Sequence, residues 1–309
     1  MDLSILVISK TYYLLNRMLN SINENSYLKN DKFEILCSWN GDTEDLKKIQ
    51  NSKNYNLKII KIKPYNFAKN MNKLISISLG KYLLFINDDV ILDKDSISSG
   101  LNLLEENINI GLVGGNLRDK KNNLTHAGVN FNFLNSAYHF LENLIKYDNP
   151  FVCNNFIISA CTGALMITRK KVFNDLEFNE LYKVCGEDIE LCLDINQLLG
   201  KEIWYCNNFK GIHEAESTRK RVPNQKKNIS DKRRLKNRYS FYFKNLNIKE
   251  LRRLYNFDKK LLNLIFESKV PSFKGRLQTD YWIIIIFNLI KIKILIFLNK
   301  LRNNIKTRV

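Results

Sequence analysis

The chain of 309 residues carries six cysteines, Cys37, Cys153, Cys161, Cys185, Cys192 and Cys206, and no two are spaced as CxxC. A zinc site of that type is unsupported, and reduced thiols in a cytosolic setting are the expected state. Glycine is missing where a phosphate loop would need it. The first strand-like run, LSILVI (Leu3 to Ile8), leads into ISKTYYLLNR rather than GxGxxG. This disfavours a Rossmann dehydrogenase or methyltransferase, and it also weakens a nucleotidyltransferase reading. The same N-terminal stretch has neither a basic n-region nor a small-residue cleavage site, so no secretory leader is expected. Repeats and low-complexity tracts are absent. Acid is scarce in one place only. Residues 219–309 hold 25 Lys/Arg against 5 Asp/Glu, a net of +20, whereas residues 1–218 hold 24 against 26, a net of −2. Such a tail attracts a polyanion, either an anionic lipid surface or a nucleic acid.

What is present is enough apolar material, 45% of the residues, to bury a full core. LSILVI, FEILCSW (Phe33 to Trp39), LKIIKI (Leu57 to Ile62) and YLLFI (Tyr82 to Ile86) are short apolar runs of the kind found in buried strands. Between them, residues 12–22 and 66–79 have helical spacing, and a polar helix is expected after Asn40-Gly41-Asp42, up to about residue 51. Strands alternating with helices predict an α/β fold with a mostly parallel sheet, helices on both faces, and ligands at the carboxyl ends of the strands. After residue 110 the pattern changes. Two strands around a polar loop, a strand CTGALMIT (Cys161 to Thr168), a helix Glu187 to Leu199 closed by Gly200, and EIWYC (Glu202 to Cys206) follow.

Three acidic or imidazole positions could carry chemistry. Asp88 and Asp89 end an apolar strand, where two carboxylates repel unless a cation or donors intervene. They suit a divalent ion bridging phosphates, or a solvated acidic turn. Glu187 and Asp188 open a helix, where acids complement the dipole or, alternatively, serve as a general base. His213 follows a strand in HEAEST, beside Glu214 and Glu216, and is either structural or a further ligand.

The order of these signals adds more than any one of them. A βαβαβα start, GKYLLFINDDV, then THAGV, TGALMITRKKVF, GEDIELCLD and HEAESTRKR, resembles the family-2 glycosyltransferases across residues 3–219. LSILVISKTYY resembles the family's opening strand and loop, and FAKNMNKLI the helix near its nucleotide. The resemblance implies a Rossmann-like sheet of GT-A type and an inverting, metal-dependent transfer from a nucleotide-diphosphate-sugar to a glycan or lipid-linked hydroxyl. The rhamnosyltransferase-like subgroup is the nearest in pattern. It also implies roles. Asp89 would bind Mn²⁺ or Mg²⁺, with Asp88 and His213 as further ligands, and Asn87 and Asp88 would face the ribose and metal. Asp188 would be the catalytic base, supported by Glu187. Lys69 and Asn70 would touch the nucleoside, and Thr162, Gly163 and Ala164 would line the sugar and acceptor pocket. Two positions depart from the pattern. Trp39 stands where an Asp usually reads the base, and could stack on it instead. Ser9-Lys10-Thr11 replaces the usual Pro-Thr.

Residues 1–218 are thus expected as the catalytic domain and 219–309 as a basic, partly hydrophobic helical extension. Within the extension, fifteen of the eighteen residues 281–298 are apolar, interrupted by Asn288, Lys291 and Lys293. A central Lys costs roughly 2.5–3.5 kcal/mol in a membrane span. The expectation is a segment lying in a bilayer interface with its lysines snorkelling, against a buried helix or an IKIKI edge strand. The chain would then sit on the cytoplasmic face of the membrane. A nucleic-acid-binding protein explains the tail but leaves GED and HEAES without a purpose, so nucleic acid is disfavoured as a partner.

Overall fold

The computed structural model describes residues 1–23, 25, 32–132, 136–214, 225–267 and 278–306. Glu216 and the basic run 219–224 lie outside these residues. The described chain divides into two compact units, one of residues 1–130 and 139–233, the other of 131–138 and 234–309.

In the first unit the apolar runs become β1 (Leu3–Ser9), β2 (Phe33–Trp39), β3 (Leu57–Lys61) and β4 (Tyr82–Asn87), separated by α1 (Tyr12–Ile22) and α2 (Phe67–Ile77). The polar helix expected after Gly41 is only a 3-10 turn, Glu44–Lys48. A short β5 (Val90–Leu92) and α3 (Ser96–Glu106) follow. Next come β6 (Ile110–Arg118), β7 (Leu124–His126), the separate pair β8 (Val129–Asn132) and β9 (Ser136–His139), which runs across the boundary into the second unit, and then β10 (Phe156–Ile158) and β11 (Leu165–Arg169). The unit ends with α4 (Glu187–Leu199), β12 (Glu202–His213) and the start of α5 (Gln225–Asn245). The expected strand CTGALMIT is therefore half turn: Cys161 to Ala164 precede β11. EIWYC continues well past Cys206.

Ten strands form one sheet, with the order β10-β12-β6-β11-β4-β1-β2-β3, and with β5 on β12 and β7 on β6. β3, β2, β1 and β4 run parallel, β11 is inserted antiparallel to β4 and β6, and β12 is parallel to β6. The central strand β4 is fully buried along Leu83 to Ile86. Such continuous apolar runs belong to strands covered on both faces. Two consequences matter for the site. The carboxyl ends of β1 and β4 lie side by side, Ile8 opposite Asn87. The end of β12 folds back against β5, His213 opposite Val90.

Arg169, at the end of β11, is buried and closes the carboxyl end of α3. Its guanidinium donates to the carbonyls of Ile110 (2.7 Å), Leu104 and Asn107. The last carbonyls of a helix have no partner within it, so a buried cation there satisfies them and opposes the dipole.

The second unit is built from α5, α6 (Ile248–Glu267) and α7 (Gln278–Lys306). Phe131 joins it because its ring packs on Tyr239 and Phe243, while its carbonyl accepts Asn288 Nδ2–H at 2.9 Å. The boundary thus falls near residue 233, with 131–138 added, rather than at 218/219. Residues 281–298 are helical, which removes the edge-strand alternative. Within α7, Ile285, Asn288 and Ile292 are buried, while Phe287, Ile290, Ile294, Phe297, Leu298 and Leu301 are exposed. The stretch Trp282–Leu301 is long and apolar enough to cross a membrane by length and composition alone, and only 17% of its most apolar window is buried.

Arg169→Met should lower the unfolding free energy by about 2–4 kcal/mol, since three carbonyls lose a charged donor. Chemical denaturation measures it. A loss below about 0.5 kcal/mol, the level of an ordinary surface change, would show that water replaces the guanidinium.

Candidate active site

β4 delivers Asn87-Asp88-Asp89 at its carboxyl end. Asp88 turns toward β1, and its Oδ2 accepts the Ser9 hydroxyl at 2.6 Å. Burial pushes its carboxyl up to about 6; the Ser9 hydrogen bond opposes this and the neighbouring Asp89 adds to it. Asp89 faces the end of β12, where its Oδ1 lies 3.2 Å from His213 Nε2. The angle does not make a hydrogen bond, and among the described residues this buried oxygen has no hydrogen-bond partner. A buried carboxylate oxygen left so, next to an imidazole nitrogen, fits a hard divalent cation. The three ligands expected from the sequence are nevertheless not gathered into one cluster. Among the described residues, no group of three His, Cys, Asp or Glu could hold an ion. Ser9 draws Asp88 aside, so an ion held by Asp89 and His213 would complete its shell with oxygens from outside the chain.

Glu214 is committed elsewhere. Both its oxygens accept from Arg17, and Lys120 Nζ lies 3.0 Å from Oε1. The Arg17 hydrogen bond is the main reason its carboxyl is lowered to about 2.

The second half of the site is the turn Thr162-Gly163-Ala164, which joins both acidic elements. Asn87 N–H donates to Ala164 O at 3.0 Å, which ties the turn to the end of β4. Gly163 N–H donates to Asp188 Oδ2 at 2.8 Å. The other oxygen, Oδ1, accepts Ile189 N–H at 2.8 Å. A Cβ at 163 would lie 3.1 Å from the Phe67 ring, a tight contact that the ring would have to relieve by shifting a few tenths of an ångström. Asp188 is half-buried in the first turn of α4, and Glu187 beside it is buried. Gly186, at a φ of 114°, makes the sharp entry. The approach to α4 is fastened by Asp231, a residue the sequence reading passed over. Its carboxylate accepts the N–H groups of Lys183, Val184 and Cys185 at 2.7–3.3 Å.

Two expected nucleoside contacts need correction. Trp39 is fully buried, and its indole N–H donates to Asp42 O at 3.0 Å. Strand alternation turns it into the core with Ile35 and Cys37, so it offers no face to a base. Asn70 is also fully buried. Its Nδ2 donates to Ser38 Oγ (2.9 Å) and Asn40 Oδ1 (3.2 Å), so it braces the end of β2 instead of touching a ligand. Lys69 is exposed on α2, and among the described residues its ammonium makes no hydrogen bond or ion pair. The sequence reading also gave no role to His126, whose Nε2 accepts Thr162 N–H at 3.2 Å.

The Asp88 geometry sets a pH dependence. Its folded value of about 6 lies above the ordinary 3.8, so the ionised form is the one that burial penalises. The penalty is absent below about pH 4 and complete above about pH 6. Asp88→Asn keeps an acceptor for Ser9 and removes the charge. Without metal, it should gain up to about 3 kcal/mol over wild type between pH 4 and pH 7. Urea denaturation at both pH values reads the difference; a constant difference would mean that Asp88 is well solvated.

Residues 5–177 match the family described as Glycosyl transferase family 2. Over 138 residues the chain is 30% identical to the O-antigen biosynthesis protein RfbC of Myxococcus xanthus, covering 43% of this chain and 11% of that protein. The chain therefore spans about a tenth of the length of this relative. Among solved structures it is similar to S. aureus TarS 1-349 in complex with UDP-GlcNAc, at a TM-score of 0.55 and 17% identity, covering 94% of this chain and 81% of that one. It is also similar to GalNAc-T7 with UDP, GalNAc and Mn²⁺, at a TM-score of 0.58 and 11% identity, covering 72% and 45%. At such identities the likeness is one of fold, and it is the expected GT-A type with a mostly parallel sheet. The family match takes in more than half of the residues, and the chain belongs to glycosyl transferase family 2.

Proposed function

We propose that the chain is an inverting glycosyltransferase that moves a sugar from a nucleotide-diphosphate-sugar to a hydroxyl of a glycan or lipid-linked acceptor in surface polysaccharide synthesis. The observation that carries this reading is the path of hydrogen bonds Asn87–Ala164 and Gly163–Asp188. One turn connects a strand end with a cation-type carboxylate to a helix start with a base-type carboxylate. The O-antigen biosynthesis relative supports the acceptor class, and the UDP-GlcNAc and UDP complexes of the neighbours support the donor class.

In this reading Asp89 and His213 would hold a divalent ion, Mn²⁺ or Mg²⁺, with Asp88 nearby, and the ion would supply positive charge against the leaving diphosphate. Asp188 receives the acceptor proton as the acceptor oxygen bonds to the anomeric carbon and the diphosphate bond breaks on the opposite face. Its two backbone donors aim the carboxylate. Thr162 and Ala164 border the acceptor side, and Lys69 is available to a phosphate or nucleoside.

The test is a hydrolysis and transfer screen of the purified protein against UDP-, dTDP- and GDP-sugars with Mn²⁺ or Mg²⁺. Asp188→Asn should reduce turnover by roughly 10²–10⁴-fold with donor affinity nearly unchanged. A folded variant with normal turnover would remove Asp188 from the role. Excess EDTA should abolish turnover; full activity there would remove the ion.

We also place the protein at the cytoplasmic face of the membrane through the second unit. The exposed residues Phe287, Ile290, Ile294, Phe297 and Leu301 recur at one-face helical spacing. Asn288 on the opposite face is bound to Phe131 O, which favours a helix lying in the interface over one stripped of its partners to span the bilayer. Positive charge adds a second, salt-sensitive attraction. Replacing Phe287, Ile294 and Phe297 together with Ser should abolish the part of binding to phosphatidylglycerol-containing vesicles that survives about 0.5 M salt, where the Debye length falls to roughly 4 Å. Co-sedimentation measures it. Wild-type protein released by salt alone would point to a purely electrostatic contact and favour nucleic acid.

A further inference from the structure

The turn Thr162–Ala164 is held from a third direction that the proposed chemistry does not use. Thr162 N–H donates to Nε2 of His126, the last residue of β7, which is buried. On the other side of the same ring, His126 Nδ1 lies 3.0 Å from His139 Nδ1, with the rings edge to face and their centroids 4.7 Å apart. Two facing nitrogens can share only one proton. Because Nε2 already accepts from Thr162, the His126 proton sits on Nδ1 and His139 is the acceptor. A second proton on His126 would set N–H against N–H. Burial first, then His139 and His213, hold its ionisation well below the ordinary range, so the ring stays a neutral acceptor.

Thr162 and Gly163 are consecutive, so their N–H groups flank the two rotatable bonds of Thr162. Fixing one on His126 and the other on Asp188 fixes both dihedrals. The direction of Gly163 N–H, and with it the orientation of the Asp188 carboxylate, is therefore set against His126. We propose that His126, kept in its Nδ1–H form by His139, is a positioning residue for sugar transfer that aims Asp188 through the Thr162–Gly163 turn. This rests on Asp188 being the base.

The experiment compares His126→Phe, His126→Gln and Asp188→Asn, alone and with His126→Phe combined with Asp188→Asn. The substrate is the nucleotide sugar that the wild type turns over fastest in the UDP-, dTDP- and GDP-sugar panel. Phe keeps the ring shape without an acceptor, and Gln places an oxygen near the position of Nε2. His126→Phe should lower kcat by about 10- to 100-fold, the scale of a small misplacement at the reacting centre, with donor KM within about twofold. His126→Gln should recover most of it. The double variant should match Asp188→Asn within about twofold, because a positioning effect vanishes with the group it positions. A folded His126→Phe with normal kcat, or losses that multiply in the double variant, would overturn the proposal while leaving the base reading intact. Normal turnover in Asp188→Asn would instead remove the base itself. If His126→Phe does not fold, nitrogen-15 spectra of the wild type decide. The chain has three histidines, so each ring can be assigned, and a His126 protonated at Nε2 would refute the proposal.

Discussion

Everything at this site hangs on the burial of β4 between two strands of opposite direction. Parallel β1 brings Ser9 to its end, and antiparallel β11 starts from the turn that Asn87 grips. Because Leu83 to Ile86 are sealed in the core, the three polar residues that follow have a fixed exit point. A solvated loop could not hold two adjacent carboxylates in different directions; a strand end with a partner on each side does. The antiparallel insertion of β11 is what lets residues far apart in sequence, Asn87 and Asp188, share one short turn.

The site is held at an electrostatic cost. Asp88 is ionised against burial and against Asp89, with Ser9 offsetting part of the penalty. Asp89 keeps a buried oxygen without a hydrogen bond. By contrast, Glu214, the residue that follows β12, is paired with Arg17 and Lys120. The pairs of Glu214 fix the scaffold, whereas the Asp89 oxygen without a hydrogen bond is the one a cation would satisfy. The backbone donors on Asp188 belong to an intermediate class: they orient the carboxylate and leave each oxygen a further lone pair.

The second unit follows a different logic. Its helices bury Tyr239, Tyr242, Phe243, Leu251, Leu254, Leu261 and Ile285, yet α7 leaves a row of large apolar side chains outside. A soluble helix of this length normally turns its polar face to water. Here the polar Asn288 is inside with Ile285 and Ile292, while Phe287 and Phe297 share the outer surface with Lys291, Lys293 and Lys300.

Local patterning reached the strands and helices of the first half because each is a short apolar run or an amphipathic repeat, and those periods come from backbone geometry alone. It also marked Asp89 and Asp188 as candidates, since strand ends and helix starts are signalled by Asn-Asp-Asp and Gly-Glu-Asp, but it read residues 161–164 as strand where the structure has a turn. It could not tell which way a side chain at such an end would face. Trp39 could stack or be core and is buried, Asn70, implied as a nucleoside contact, braces the end of β2, and Asp88 leans on Ser9 instead of joining Asp89 and His213. Nor could it weigh His126 or Asp231, whose partners are Thr162 and His139, and the amides of 183–185. Those contacts are made across strand order and between elements distant in the chain. A side chain's direction and partners depend on what packs beside it, and that is settled only when β7, β11 and α4 are brought to the same end of the sheet.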